Sequence, residues 1–310
     1  MVKFNLIIFH TPKRQHLSDF TAIRERLGVM AADIEVHIVS PEIPMPPDFW
    51  RKAAERPTVL FSPMPRNIDP RIRGLRLVAR RYSKFEEVRM LAQAGLPVPY
   101  TRKILPDTVL DERQWGPFTV VKPNMGYRGR GLRLMRTRDV RWIDTKLLPA
   151  DDPRHAMNLI AQQFIDTGPY AACYRVMTVL GRPIYAMRST AVAPLPTLAT
   201  LADAPVAIEI AANGVERRME LIDDAGIIAL AKKVHARLTH TPVMGIDIIR
   251  EQASGRLVVL EMNSGGWTWH LSSDHGRRHQ ADHGLDYYGQ FGALDVIADA
   301  LARVTRGRAV

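Results

Sequence analysis

Apolar and polar positions along this chain recur with two different periods, and each change of period marks an element. Phe4–Phe9 is a short apolar run, 19–32 has helical spacing, Ile34–Val39 is apolar again, 49–56 is helical and 58–61 is apolar. Strands separated by helices predict a small parallel sheet covered by helices, a βαβαβ arrangement over roughly 1–75. The proline cluster PEIPMPP makes the loop between the second strand and the second helix. From Ser83 the segment SKFEEVRMLAQAG has a capping serine, acidic residues in its first turn, helically spaced apolar residues and a closing glycine, which predicts a helix to about residue 94. LPVPYTRKIL then holds the chain extended through its prolines, before a strand at 118–121. Two β-hairpins are expected further on. The first joins 174–180 to 184–190 through Gly181, Arg182 and Pro183, and the second joins 245–250 to 257–262 around Ala253, Ser254 and Gly255. Helices are expected over 224–238 and in the amphipathic C-terminal stretch GALDVIADALARVT.

With 310 residues, 46% of them apolar, the chain can bury a large core. No run approaches the length needed to span a bilayer, and no cleavable leader is visible behind MVKFNLIIFH, so a soluble, cytoplasmic protein is expected. A single cysteine, Cys173, excludes an internal disulfide and a multi-cysteine zinc site, and its apolar setting suggests a small core residue. The formal net charge of +11 favours anionic partners. The basic residues are scattered with little aromatic interleaving, so a dedicated nucleic-acid surface is not expected. Nothing in the sequence excludes a homo-oligomer.

Chemistry concentrates in two segments. In VVKPNMGYRGRGLRL a strand ends in Lys122 and runs into a loop with Gly126, Gly129 and Gly131, with Arg128 and Arg130 between them. Glycines let a backbone approach polyphosphate closely, so the loop suits a phosphate-covering flap; the alternative is an ordinary glycine-rich turn. The spacing approaches a dinucleotide fingerprint, but LRLMRT behind it reads as a strand, and that reading fails on context. In GIDIIREQASGRLVVLEMNSGG, strand alternation puts Glu261 and Asn263 on one side, and an antiparallel partner brings Asp247 alongside. Two carboxylates and an amide oxygen are hard ligands of the kind magnesium on a nucleotide takes, the alternative being solvated strand residues. Arg175 and Arg188, on the first hairpin, hold an anion or form structural ion pairs. The tail SGGWTWHLSSDHGRRHQADHG carries His270, His275, His279 and His283. Its Ser272 to Gly276 stretch reads as a turn in a substrate-facing loop. A zinc site, an acid–base role for His270 or His275 and a structural role all stay open; Trp267 and Trp269 line a pocket or pack.

A lysine opening a helix (Lys84), Lys122 before a glycine loop, the QQFI segment, the arginine-bearing hairpin and the D…EMN pattern, in that order, resemble the ATP-grasp superfamily. The likeness is to the branch with glutathione synthetase and the ribosomal-protein glutamate ligases, and it covers roughly 80–270. It implies an α/β architecture: an N-terminal α/β domain (1–78), a grasp subdomain with the glycine-rich loop (79–165) and a second subdomain with the magnesium site (166–310). It implies an ADP-forming carboxylate–amine ligase that uses ATP and magnesium, two ions, through an acyl phosphate, acting on small-molecule or peptide substrates. By the resemblance, Lys84 and Lys122 contact ATP phosphates, Gln163, Phe164 and Ile165 the adenine, and Asp166 the ribose. Arg175 and Arg188 hold the transferring group, and Asp247, Glu261 and Asn263 bind magnesium. Gln163 departs from the glutamate common at its position. A kinase-like grasp enzyme, and a non-catalytic nucleotide- or nucleic-acid-binding protein, are the alternatives.

Overall fold

The computed structural model describes residues 2–12, 14–43, 45–126, 129–194, 216–264 and 269–310. The first sheet contains β1 (Phe4–Phe9), β2 (Ile34–Val39), β3 (Thr58–Ser62) and β4 (Leu75–Val78), all parallel in the order β2-β1-β3-β4. Its two central strands are buried on both faces, which is why they read as unbroken apolar runs. Helices α1 (Leu17–Met30) and α2 (Phe49–Ala53) connect the strands. The βαβαβ reading therefore holds, with β4 as an additional edge strand.

Helix α3 (Lys84–Gln93) begins at Ser83, whose side chain accepts from the Glu86 amide while Glu86 returns the bond, a complete capping box. After it, β5 (Thr101–Lys103), the short α4 (Glu112–Trp115), β6 (Phe118–Pro123), β7 (Arg133–Arg136) and β8 (Leu159–Gln163) supply a four-stranded antiparallel sheet ordered β5-β8-β6-β7.

A third, five-stranded antiparallel sheet has the order β11-β10-β9-β12-β13, from β9 (Ala172–Val179), β10 (Arg182–Ala191), β11 (Arg217–Leu221), β12 (Val243–Arg250) and β13 (Leu257–Asn263). The hairpin turn between β9 and β10 is Leu180-Gly181, one residue earlier than predicted. Both residues have positive φ (48° and 84°), as the two-residue turn that matches strand twist requires.

One face of this sheet packs on α3 and on α5 (Ala225–Arg237), through Val176, Ala186, Ile246, Leu91 and Ile227. Its other face joins Met177, Tyr185 and Met187 to Trp269, Tyr287, the C-terminal helix α7 (Ala293–Arg308) and the first sheet in the largest core. Between them, Asp274–His283 is a helix, α6. The turn expected at Ser272 to Gly276 is its capped start: Ser273 Oγ accepts from the Gly276 amide at 3.2 Å. A Cβ at Gly276 would lie 1.8 Å from the His270 carbonyl oxygen, so only glycine lets the helix sit this close. Among the described residues no helix is long and apolar enough to cross a membrane.

Candidate active site

Three strands of the third sheet carry one row of charge. Arg175 of β9 lies opposite Asp247 of β12, and Asp247 lies opposite Glu261 of β13. A bulge makes this possible, because the register runs from Ile248↔Val259 to Asp247↔Glu261 and leaves Leu260 as an extra residue. Without it Glu261 would point to the other face. Arg175 grips Asp247 with two bonds, Nε to Oδ1 and Nη2 to Oδ2, both 2.6 Å. Asn263, on the same face as Glu261, donates from Nδ2 to Asp247 Oδ2 at 3.1 Å and Glu261 Oε1 at 3.4 Å.

Two lysines reach the row from outside the sheet. Lys84 Nζ donates to Glu261 Oε2 at 2.6 Å. Lys122, 5% exposed at the end of β6, donates to Gln162 Oε1 at 2.8 Å. Asn124, two residues past Lys122, ties them together: its carbonyl accepts from the Lys84 amide and its Oδ1 from the Phe85 amide, both at 2.9 Å. Asn124 has no signature in the sequence beyond its position after the strand.

Burial and close opposite charges compete throughout this cluster. Burial opposes ionisation of Glu261, but the Lys84 and Lys122 ammonium groups outweigh it and hold the carboxyl below the usual range. Burial likewise opposes the charge on Lys84, and Glu261 more than restores it. Burial, aided by Lys84, pushes the Lys122 ammonium down to about 8. At Asp247 burial pushes the carboxyl up while Arg175 pulls it back. Glu87, one turn along α3 from Lys84 and buried, is raised well above the carboxylate range by burial and by Glu261. The sequence reading did not single it out.

Lys122 of the second sheet thus acts by charge on the acidic row of the third. The structure is similar to D-cycloserine synthetase DcsG at TM-score 0.51 and 16% identity, over 96% of this chain and 99% of that one. It is also similar to the ATP-grasp ligase PsnB complexed with precursor peptide and AMPPNP, at TM-score 0.53 and 16% identity over 96% and 98% of the two chains. The chain has the ATP-grasp fold. A second PsnB structure, complexed with minimal precursor, Mg and ADP, matches at TM-score 0.51 and 15% identity over 96% and 98%. No protein-family profile and no curated protein matches the sequence.

Within this fold, Lys84, Arg175, Asp247, Glu261 and Asn263 are joined by hydrogen bonds, Lys122 acts on them by charge, and Arg188 does not join them. In the β9–β10 hairpin the pairing steps from Pro183↔Thr178 to Tyr185↔Met177, leaving Ile184 over. That one-residue slip turns Arg188 to the opposite face, where its guanidinium stands 5.9 Å from the Tyr174 ring centre and 3.8 Å from Glu220. Ile165 is buried with Cys173, Ile249, Val258 and Leu260, and Phe164 packs on Phe118, Val120 and Leu134. The Gln163 amide donates to the Tyr100 carbonyl at 2.8 Å. Asp166 turns to its own loop, Oδ1 accepting from the Gly168 amide at 2.9 Å.

Gly131 has φ 74°, and a Cβ there would meet Arg154 Cγ at 3.0 Å and Pro123 Cγ at 3.2 Å. Gly126 and Gly129 also have positive φ, and Arg130 is exposed; Arg128 and Trp267 lie outside the described residues. Trp269 packs, donating from Nε1 to Asp19 Oδ2 at 2.7 Å. The buried Asp19 of α1 also accepts from Ser272 (2.5 Å) and Tyr288 (2.8 Å), so it anchors the histidine-bearing tail to the first sheet's helix. His270 is hydrogen-bonded to Tyr185 at 2.8 Å, and the rings of His270, His275, His279 and His283 follow one another at 5.4, 4.3 and 5.8 Å. Burial and its histidine neighbours push His279 down to about 4. Among the described residues no group of three or more His, Cys, Asp or Glu is arranged to hold a metal, so the case for a cation rests on two carboxylates and one amide.

Proposed function

We propose that the chain is an ATP- and magnesium-dependent ligase that activates a carboxylate as an acyl phosphate and joins it to an amine. The observation that carries this is the convergence of Lys84 and Arg175 on Asp247, Glu261 and Asn263, with the Lys122 ammonium acting on Glu261 by charge. Domain limits of 1–78, 79–165 and 166–310 go with this reading.

The donor set fits magnesium: two carboxylates and an amide whose oxygen faces them after a half-turn of the Asn263 side chain. Magnesium on the nucleotide supplies charge neutralisation at the transferring phosphate. Lys84 and Lys122 hold nucleotide phosphates, and Gly126, Gly129, Gly131 and Arg128 cover them. Gln163, Phe164 and Ile165 border the adenine, with Asp166 near the ribose. Arg175 steadies the transferring group, and fixed charge and positioning provide the acceleration without an enzyme nucleophile.

DcsG is named as a D-cycloserine synthetase, and PsnB is complexed with a precursor peptide. Both point to an amino acid or peptide as substrate here. The test is incubation of the full chain with ATP, magnesium and pooled amino acids and peptides. Equal release of ADP and phosphate, with an amide-linked product in the mass spectrum, is expected. A stable phosphorylated product without free phosphate, or no ADP from folded protein across a broad pool, refutes the ligase reading.

A further inference from the structure

Arg188 leaves the acidic row one cation short of what its position on the hairpin suggested, and a different strand supplies another. Arg217 opens the edge strand β11 and pairs with Ala191 of β10. Paired residues of an antiparallel sheet share a face, so Arg217 lies on the side of Ser189, Met187 and, across β9, Arg175. Its Nη1 donates to Ser189 Oγ at 3.3 Å, while its Nε, like that of Arg188 on the opposite face, is buried with no partner among the described residues, so the face of the sheet is what separates the two arginines.

The nearby acids on this face are already engaged, Asp247 by Arg175 and Glu261 by Lys84. Among the described residues Arg217 has no ion pair, in contrast with its neighbours on β11, Arg218 and Glu220, which turn to the other face and meet there. The Cys173 thiol, opposite Ser189, feels Asp247, Arg175, Glu261 and Arg217 together, so it stands between the row and the edge-strand arginine. A guanidinium held, among the described residues, by one weak hydroxyl contact and sharing a face with Arg175 is poised for an anion.

We infer that Arg217, in place of Arg188, is the second cation of the transfer site, binding the substrate carboxylate and the phosphoryl group it receives. This rests on the ligase reading above. In that reaction a carboxylate oxygen bonds to the γ-phosphorus as the bond to the ADP oxygen breaks. The amine then bonds to the acyl carbon as phosphate departs with the electron pair, and the amine proton goes to solvent. The group passed between these steps is anionic throughout, and the guanidinium fork matches two of its oxygens.

Calorimetry on the full chain separates the possibilities. Magnesium and ADP are titrated alone and then with aluminium fluoride, which imitates the phosphoryl group in flight. For wild type, fluoride tightens ADP binding. Arg217→Gln keeps the affinity for ADP alone and loses about tenfold or more of the tightening, as expected when one donor to a developing anion is removed. Arg217→Lys, which keeps the charge and loses the fork, gives an intermediate loss and is read instead if the glutamine variant does not fold. Arg188→Gln retains the full tightening. Full tightening in both Arg217 variants, or its loss in Arg188→Gln, overturns the inference. Failure of wild type to bind ADP and magnesium overturns the ligase reading and the inference with it.

Discussion

Replacing Glu261 by glutamine removes one charge from the acidic row while keeping its shape, and the structure sets the size of the effect. Lys84 Nζ is 2.6 Å from Glu261 Oε2, and the two side chains are 21% and 18% exposed. With an amide in place of the carboxylate, the ammonium keeps an acceptor but loses its counter-charge in a mostly dry setting, which costs about 2 kcal/mol of stability. Magnesium would lose one of its two charged ligands at the same time. For wild type, magnesium and ADP at 100 times Kd add about 2.7 kcal/mol. For a chain of 310 residues that is a rise in Tm of about 4 °C. Differential scanning fluorimetry with ADP, run with magnesium and with a chelator, isolates the part that needs the metal. Glu261→Gln should start lower and show the same Tm with either. Glu251→Gln, at the turn beyond the far end of the hairpin where the residue pairs with Arg256, should behave as wild type. A full magnesium-dependent rise in Glu261→Gln would refute the assignment of that carboxylate to the metal.

His235 is 2% exposed, hydrogen-bonded through Nδ1 to Thr178 at 2.8 Å, and burial pushes it down to about 4 from 6.5. Between those values the unfolded chain binds more protons, so this contribution is fully present above pH 6.5 and is lost as pH falls toward 4, up to about 3 kcal/mol. Urea denaturation at pH 7.5 and 4.5 should show a larger loss for wild type than for His235→Gln, and equal losses would contradict it. Asp19→Asn sets an amide NH2 against hydroxyl and indole donors and should cost about 3 kcal/mol by tryptophan-monitored denaturation; a change below about 1 kcal/mol would rule out the anchoring role. Burial holds the Cys173 thiol well above its ordinary range, so iodoacetamide at pH 8 should leave it unmodified in the folded chain and alkylate it in urea.

Glu261 and Asn263 were legible because strand alternation is a rigid rule: they share a face wherever the strand lies, and the apolar residues around them fix that strand, whereas the place of Asp247 beside them depends on the bulge at Leu260. The capping box at Ser83 was equally plain, since its partners are three residues apart. What escaped were features set by pairing between strands. Arg188 was placed with Arg175 by the resemblance alone, and the extra Ile184, which turns it to the opposite face, leaves no mark in the sequence. Arg217 could not be found either, for its face depends on the register of an edge strand reached across a long connection. Edge strand β4 is half-exposed and flanked by arginines, so its apolar pattern is too weak to read. The start of α6 misled because serine, aspartate and glycine favour turns and helix N-termini alike.

In the free chain the acidic row is already neutralised from within: Arg175 on Asp247, Lys84 on Glu261. Under the proposed function this has a thermodynamic consequence. A bare magnesium ion meets carboxylates whose charge is cancelled, and a bare polyphosphate meets cations that are already paired, so each alone must break ion pairs in a buried setting. Arriving together, the metal takes the carboxylates while the phosphates take the released guanidinium and ammonium groups, and no charge is left stranded. Metal and nucleotide are therefore coupled through four side chains, and linkage makes that coupling equal in both directions. The magnesium-dependent part of the ADP shift measures this coupling, and Glu261→Gln, which cuts one of its two ion pairs and also removes one of the two carboxylates offered to the metal, is where it should be lost.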